Sequence, residues 1–285
     1  PTPPAAEPLA RSPTPRETAR PADWVAGPTG LDIAENGIDF HAVTARGTLA
    51  KGTITRTDGA LSGMSFTEIQ PILNRFGIAH TSTFTDAEGL AVAEDGRIFI
   101  SFETADRVSV YKEFRSAERL AGFTTEWRIF PKNKGLEALA VAPDGSLWAF
   151  SEFLFDNNTK ARVFHRPDGD EWYLDTTIHA DKGLNPVGAD FGPDGQLYLL
   201  ERGFFAVGFF TRVRRLTLEE GRVTRTETLL RTAPGRHGNL EGLSVWKDTA
   251  GKIRLTMVAD DNFRSVQRNE LVEYVLEDGV APSKQ

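Results

Sequence analysis

One pattern of apolar and polar positions recurs five times along this chain. In its clearest copy, residues 86–111 read DAEGLAVAEDGRIFISFETADRVSVY, and two short apolar runs flank the turn Asp95-Gly96. Asp-Gly between two such runs is a strong short-range signal for a β-hairpin. Related copies occupy residues 29–46, 134–152, 184–202 and 239–262. Five copies of one hairpin indicate a repeat architecture.

Further strand-like runs follow each hairpin. A third run follows every copy, and a fourth follows every copy except the last, at residues 63–69, 125–130, 171–178 and 223–231. Four short antiparallel strands per repeat are typical of a propeller blade. The chain is therefore predicted to be all-β, a β-propeller of four-stranded antiparallel blades. Five blades are favoured, and six, with an extra blade in the long first gap, is the alternative.

The missing fourth strand of the last copy predicts how the ring closes. A propeller usually borrows this strand from the other terminus, which leaves no bare sheet edge, and residues 22–26 are expected to supply it. Residues 1–28 hold eight of the sixteen prolines and are predicted to form a flexible extension. The propeller domain is predicted over residues 29–278, with a tail over 279–285. A proline-rich lead is common after a cleaved export signal, so a periplasmic or secreted protein is expected.

Composition and charge exclude several classes of partner. The net charge of -7 argues against nucleic acid, which usually requires a basic face. No apolar run approaches the length of a membrane span, and the absence of cysteine excludes thiolate metal sites. Phosphate loops of the dinucleotide or Walker type are missing, so no organic cofactor is expected. The G-x-S-x-G motif is also absent, which argues against a hydrolase with a serine nucleophile of that type. The protein is expected to be a monomer.

The hairpin geometry brings acidic residues to one end of the ring. The residue that enters the first strand and the residue that leaves the second lie at the same end of a blade, away from the Asp-Gly turn. Because the first strand lines the central channel, these side chains are predicted to converge on one mouth of it. The paired positions are Glu88 with Glu103, Glu137 with Glu152, Glu241 with Asp260 and Asp261, Val187 with Glu201 and Arg202, and Thr29 with Thr44.

Crowded carboxylates destabilise a protein unless a cation or an arginine lies among them. Arg46, Arg107, Arg202, Arg264 and Arg268 are within a few residues of the acids, and oxygen-rich clusters suit hard cations such as Ca²⁺. The acids could hold a metal, bind a phosphate through the arginines, pair with one another, or simply lock neighbouring blades together. His237 is a candidate for a general base. Phe204 and Phe205 could wall a pocket or simply pack.

The motifs DAEGLAV, GLEALAV, LYLLER, NLEGL and ADDNF…QR, in this order, resemble the bacterial family labelled esterase-like activity of phytase. The resemblance covers about residues 29–278. It implies an exported phytase-like propeller that hydrolyses an ester or phosphoester. In β-propeller phytases proper, carboxylate-bound calcium ions hold the substrate phosphates and water attacks phosphorus. The first copy departs from the family pattern, because Thr44-Ala45-Arg46-Gly47 stands where Ser-Asp-Arg-Gly is expected, and one metal ligand is thereby lost.

The family motifs and the paired positions together select the candidate site residues. The candidate catalytic residues are Glu88, Glu103, Glu137 and Asp261. The candidate anion-binding residues are Arg107, Arg202, Arg264, Arg268, Asn239 and Asn262. The candidate Ca²⁺ ligands are Asp86, Glu88, Glu137, Glu152, Glu201, Glu241, Asp260 and Asp261.

Two hypotheses follow. The first is a metal-assisted hydrolase acting on a small phosphorylated or ester substrate. The second is a non-catalytic propeller that binds a small ligand or a protein partner in the cell envelope through the same mouth.

Overall fold

The strands that the structure describes form five antiparallel sheets of four strands each. The computed structural model describes residues 27–80, 85–181, 183–206, 208–219, 222–260 and 269–276, and the backbone of 15–19. The five sheets confirm the predicted all-β propeller with five blades rather than six. No helix in this described part of the chain is both long and apolar enough to cross a membrane.

Four of the blades are built from strands that follow one another directly in the chain. Blade 1 contains β2 (Pro28–Ile33), β3 (Asp39–Thr44), β4 (Thr48–Thr57) and β5 (Ala60–Pro71). Blade 2 contains β6 (Ala87–Val92), β7 (Ile98–Phe102), β8 (Arg107–Tyr111) and β9 (Arg119–Leu120). Blade 3 contains β10 (Leu136–Val141), β11 (Leu147–Phe155), β12 (Lys160–Arg166) and β13 (Tyr173–His179). Blade 4 contains β14 (Asn185–Phe191), β15 (Leu197–Phe205), β16 (Gly208–Glu219) and β17 (Arg222–Arg231).

Blade 5 joins the two ends of the chain. Its inner strands are β18 (Asn239–Lys247), β19 (Ile253–Asp260) and β20 (Leu271–Val275), and its outer strand is β1 (Pro15–Ala19). β1 runs antiparallel to β20, with Pro15 opposite Tyr274 and Ala19 opposite Leu271. Closure by the N-terminal part of the chain is as predicted, but the strand that pairs with β20 is Pro15–Ala19. The segment expected to supply it, residues 22–26, lies outside the described residues.

Blade 2 departs from the sequence prediction at its outer edge. The fourth strand is the two-residue β9 rather than the predicted run 125–130, and that run is a 3-10 helix, Thr125–Ile129. The Thr124 side chain caps this helix by accepting a hydrogen bond from the Glu126 backbone N–H. Trp127 is completely buried and packs edge-on against Trp172, with 5.4 Å between ring centroids. Burial of this aromatic side chain therefore outweighs the strand-like pattern of the segment.

The hydrophobic core consists of five clusters, one at each junction between neighbouring blades. Between blades 3 and 4, for example, Trp148 and Phe150 pack with Leu199 and Leu216. Each large side chain buried in this way contributes roughly 1.5–3 kcal/mol. Because every blade packs against both neighbours, the inner strand ends that surround the channel are held in fixed relative positions.

Small residues let the inner strands approach one another closely around the channel. A Cβ atom at Gly89 would collide with the carbonyl oxygen of Glu137 in the next blade, and one at Gly188 with that of Glu241. The cavity left between the inner strands is only about 10 Å³, which is room for one water molecule at most. The inner strands of the five blades therefore leave the channel narrow at this level, next to the mouth.

Candidate functional site

The same irregularity occurs at one end of the inner strand pair in all five blades. In blade 3, Leu136 lies opposite Ser151 and Ala138 lies opposite Phe150, so Glu137 is an extra residue that the partner strand does not match. Such a β-bulge bends the strand and redirects a side chain. The corresponding bulges fall at Thr29, at Glu88-Gly89, at Val187 and at Glu241. The acids predicted to enter the first strands are thus the bulged residues.

The structure brings six carboxylates together at this end, which we call the mouth cluster: Asp86, Glu88, Glu103, Glu137, Glu152 and Glu241. One carboxylate oxygen from each of Asp86, Glu88 and Glu103 lies within 4.8 Å of the other two. The same holds for Glu103, Glu137 and Glu152. Glu103 belongs to both trios, so the two groups overlap. The predicted convergence of acids from different blades is therefore present in the fold.

Burial and the charges of neighbouring acids raise the pKa of Glu88, Glu103, Glu137 and Glu241. Burial, and then the charges of Glu137 and Glu241, raise the pKa of Glu88 well above its ordinary value. Burial raises the pKa of Glu103 to about 8, although the Gly135 backbone N–H donates to its Oε1 at 2.6 Å. Burial likewise raises the pKa of Glu241 to about 7. The cluster thus holds more negative charge than its surroundings stabilise.

Arg202 reaches into the mouth cluster from blade 4. Its NH1 donates to Asn239 Oδ1 at 3.0 Å and to Glu241, and its NH2 donates to Glu152 Oε1 at 3.1 Å. Burial acts to lower the pKa of Arg202, but Glu241, Glu137 and Glu152 outweigh it and raise the pKa above its ordinary value. One guanidinium therefore links the inner strands of blades 3, 4 and 5.

The donor set fits a hard divalent cation. Both trios offer carboxylate oxygens alone, which are the ligands that Ca²⁺ prefers. The Oε2 atom of Glu241 is buried and has no hydrogen-bond partner within the described parts of the chain. A buried carboxylate oxygen without a partner is costly, so hydrogen bonds among the described residues do not satisfy every acceptor of the cluster. Asp86, Glu88, Glu103, Glu137 and Glu152 are the residues that could hold the ion.

The structure adds residues that the sequence analysis does not single out. Asp106 lies beside Glu103, its Oδ1 is buried without a hydrogen-bond partner among the described residues, and burial raises its pKa to about 6. A Cβ atom at Gly135 would collide with this Oδ1, so only glycine leaves room for the aspartate. Asn185 donates to Glu152 Oε1 at 3.1 Å. The feature of the sequence that could have identified Asp106 as a site residue is its position three residues after Glu103, in the same turn.

Glu201 was predicted as a Ca²⁺ ligand, and the structure places it in a different environment. It is completely buried and binds two arginines, which we call the arginine cage. Arg212 donates to its two oxygens at 2.5 and 3.0 Å, and Arg214 at 3.0 and 2.6 Å. Both arginines lie on β16, on the same face as Glu201. Glu201 and its neighbour Arg202 thus point to opposite faces of β15, as strand alternation requires.

Arg107, like Glu201, has partners that lie outside the mouth cluster. Its Nε donates to Glu118 Oε1 at 2.9 Å, and its guanidinium carbon lies 3.8 Å from the centre of the Phe102 ring. Glu118 further accepts a hydrogen bond from Ser109 and pairs with His80. This predicted anion-binding arginine therefore takes part in a buried network within blade 2.

The remaining candidates are distributed as follows. Asp260 is buried opposite Asn239 in blade 5, and its charge adds to burial in raising the pKa of Glu241. His237 hydrogen-bonds Tyr274 at 2.6 Å. Thr29, the bulged residue of blade 1, donates to the Ala87 carbonyl at 2.7 Å and so connects two blades. The candidates outside the described residues are Asp261, Asn262, Arg264 and Arg268.

The two predicted loop aromatics lie above the mouth at the tip of the β15–β16 hairpin. Phe204 and Phe205 are 63% and 68% exposed. The Phe204 ring packs edge-on against Phe209, with centroids 5.2 Å apart. Phe204 is two residues beyond Arg202 on the same strand face, which corresponds to about 7 Å along the strand.

Comparison with known proteins gives one match by sequence pattern. The model of the phytase-like family, described as esterase-like activity of phytase, matches residues 23–263. A search of curated proteins finds no match.

Solved propellers resemble the fold at low sequence identity. The endo-arabinase from Bacteroides thetaiotaomicron is 13% identical with a TM-score of 0.52, covering 92% of this chain and 99% of its own. A luciferin-regenerating enzyme is 12% identical with a TM-score of 0.51, covering 93% and 96%. A protein of unknown function from Dyadobacter fermentans is 11% identical with a TM-score of 0.50, covering 87% and 76%. At these identities the likeness shows the fold alone.

Proposed function

This chain belongs to the phytase-like family described as esterase-like activity of phytase, and on that premise we propose that it is a metal-assisted hydrolase of small ester or phosphoester substrates. The reaction takes place at the mouth cluster. The observation that carries the proposal is the pair of overlapping carboxylate trios that share Glu103. Ca²⁺ is the proposed ion, because every available ligand atom is oxygen.

A divalent cation held by Asp86, Glu88 and Glu103, with the charges of Glu137 and Glu241 beside it, would attract an ester or phosphate oxygen and make a nearby water more acidic. The protein's own groups define the rest of the site. Arg202 donates to Glu152 and Glu241, and Asn239 donates to Glu241, so these two residues would hold the neighbouring carboxylates in position beside the ion. The narrow channel between the inner strands would keep the substrate at the mouth.

The test is an assay of the purified protein with p-nitrophenyl phosphate, p-nitrophenyl acetate and phytate, first with Ca²⁺ and then with EDTA. Turnover is expected with Ca²⁺ and its loss with EDTA. Glu88→Gln and Glu137→Gln are expected to lower kcat/KM by at least about 10–100-fold, the scale of losses at metal centres. Glu94→Gln is the matched control, because it makes the same change in the exposed turn at the opposite end of blade 2.

Hydrolysis that is indifferent to EDTA and to both mouth variants would contradict the proposal. Calcium binding without turnover of any of these substrates would instead support the non-catalytic propeller.

The proposed location is the periplasm or the medium. It is supported by the proline-rich composition of residues 1–28. Immunodetection of the protein in fractionated cells of its source tests this, and a signal confined to the cytoplasmic fraction would contradict it.

A further inference from the structure

The positive charge of Arg202 lies in one half of the mouth cluster. Its two terminal nitrogens contact Glu152 of blade 3 and Glu241 and Asn239 of blade 5. The trio of Asp86, Glu88 and Glu103 belongs to blade 2. The mouth thus has an arginine half, next to blades 3 and 5, and a second half in blade 2.

We propose that Arg202 is a built-in counter-ion that occupies the place of a second divalent cation and limits the mouth to one. The bound ion lies at Asp86, Glu88 and Glu103. This inference rests on the cation binding of the proposed function, and it adds the number of ions and the residue that sets it.

The first support is the overlap between the arginine contacts and the second trio. Glu152 is a member of the trio Glu103, Glu137 and Glu152, whose oxygens lie within 4.8 Å of one another. The same Glu152 Oε1 accepts the hydrogen bond from Arg202 NH2 at 3.1 Å. A cation bound to this trio would lie within a few ångströms of the guanidinium. Two like charges at such a distance repel strongly where water is largely excluded.

The second support is the oxygen that Arg202 leaves unsatisfied. Glu241 is 8% exposed, and it uses Oε1 for both Asn239 and Arg202. Its Oε2 is buried without a hydrogen-bond partner within the described residues. A planar guanidinium has a fixed fork of donors and cannot turn to reach every oxygen around it. The arginine half therefore keeps spare acceptor capacity of the kind that a spherical ion would use.

The third support is the rigidity with which Arg202 is held. The residue lies on β15, next to Glu201, whose carboxylate is fixed by Arg212 and Arg214. The strand at the base of the Arg202 side chain is therefore anchored by ion pairs on its other face. Because Arg202 is tethered to this strand, its guanidinium has a high effective concentration beside the cluster, which favours it over an ion from solution.

The experiment counts calcium ions bound per chain by isothermal titration calorimetry on EDTA-treated protein. The variants are Arg202→Met, which keeps the length of the side chain without its charge, and Arg202→Lys, which keeps the charge. One ion is expected for the wild type, two for Arg202→Met, and one for Arg202→Lys. The double variant Arg202→Met/Glu152→Gln removes a ligand of the second ion and is expected to return the count to one.

Thermal denaturation gives a second readout, because Arg202→Met leaves buried carboxylates without their partner. Calcium is expected to raise the Tm of this variant by more than it raises the Tm of the wild type, since a ligand of the native state stabilises it. An equal count in the wild type and Arg202→Met, including none in both, overturns the inference. No ion in the wild type but one in Arg202→Met would support Arg202 as the counter-ion and would contradict the metal-assisted function.

Discussion

Two sets of buried carboxylates in this propeller have opposite electrostatic surroundings. In the arginine cage, Glu201 binds two arginines through four hydrogen bonds of 2.5–3.0 Å. In the mouth cluster, Glu152 and Glu241 share Arg202, and burial raises the pKa of Glu103 to about 8. The two sets adjoin, because Glu201 and Arg202 are consecutive residues of β15.

The difference separates a structural role from a binding role. A buried charge whose partners are all within the protein has little left to offer a ligand, and removing one partner is strongly destabilising. A buried carboxylate with raised pKa is already destabilising in its charged form, so a cation that binds it stabilises the fold. Opposite effects on stability are therefore expected when a carboxylate of each set is neutralised.

The largest effect is expected from Glu201→Gln. The change leaves Arg212 and Arg214 buried without a full negative charge between them, and breaking a buried ion pair costs about 3–5 kcal/mol. Urea denaturation measures the free energy of unfolding. Asp156→Asn is the control, because Asp156 pairs with Lys160 on the surface and is expected to change stability by less than about 1 kcal/mol. A loss for Glu201→Gln as small as that of the control would show that the cage is not structural.

A smaller effect is expected from pH in the EDTA-treated protein. The folded pKa values of Glu103 and Glu241, about 8 and about 7, lie above the ordinary value of 4.5. Protonation therefore contributes stability that is complete below about pH 4.5 and is lost as the pH rises through 7 and 8. The Tm is expected to fall by several degrees between pH 5 and pH 8.5, at about 2–4 °C per kcal/mol. Saturating Ca²⁺ should flatten the profile, and a Tm that rises with pH in EDTA would contradict the electrostatics described for the mouth.

The smallest effect, with the opposite sign to Glu201→Gln, is expected from Glu137→Gln. Burial and then the charge of Glu152 raise the pKa of Glu137 well above its ordinary value. Neutralising it is expected to stabilise the EDTA-treated protein at pH 8 by about 1 kcal/mol and to weaken calcium binding. Glu94→Gln should stay within about 0.5 kcal/mol of the wild type. Destabilisation by Glu137→Gln would show that this carboxylate also belongs to the structural set.

The fold and the convergence of the acids could be predicted because their signals are local and repeated. Asp95-Gly96 and its equivalents define the hairpins, and the hairpin geometry places Glu88 and Glu103 at one end. The 3-10 helix at Thr125–Ile129 was missed because its cause is the burial of Trp127 against residues far along the chain. The closing strand Pro15–Ala19 was placed too late because proline-rich sequence has no alternation from which to read a register.

The distribution of partners among the acids was harder to predict. Strand alternation shows that Glu201 and Arg202 face opposite sides, but it does not say which side is the mouth. That depends on Arg212 and Arg214, which lie on the neighbouring strand and bind Glu201 there. Asp106 was missed for a similar reason, since its proximity to the mouth depends on the space left by Gly135 in the next blade.

The bulge at the mouth end of every blade has a consequence for how this ring can change over time. The bulged residue does not take part in the regular pairing of its strand, and the ladder continues on both sides of it whether the side chain is threonine, glutamate or valine. Each blade thus has one bulged position at which the side chain can differ while the pairing of the strands stays the same. In two of the five blades the residue at this position is uncharged, Thr29 and Val187. Val187 packs in the core between blades 4 and 5, and Thr29 donates to the Ala87 carbonyl of the next blade. Charge at the mouth and contact between blades are therefore alternative uses of the same position.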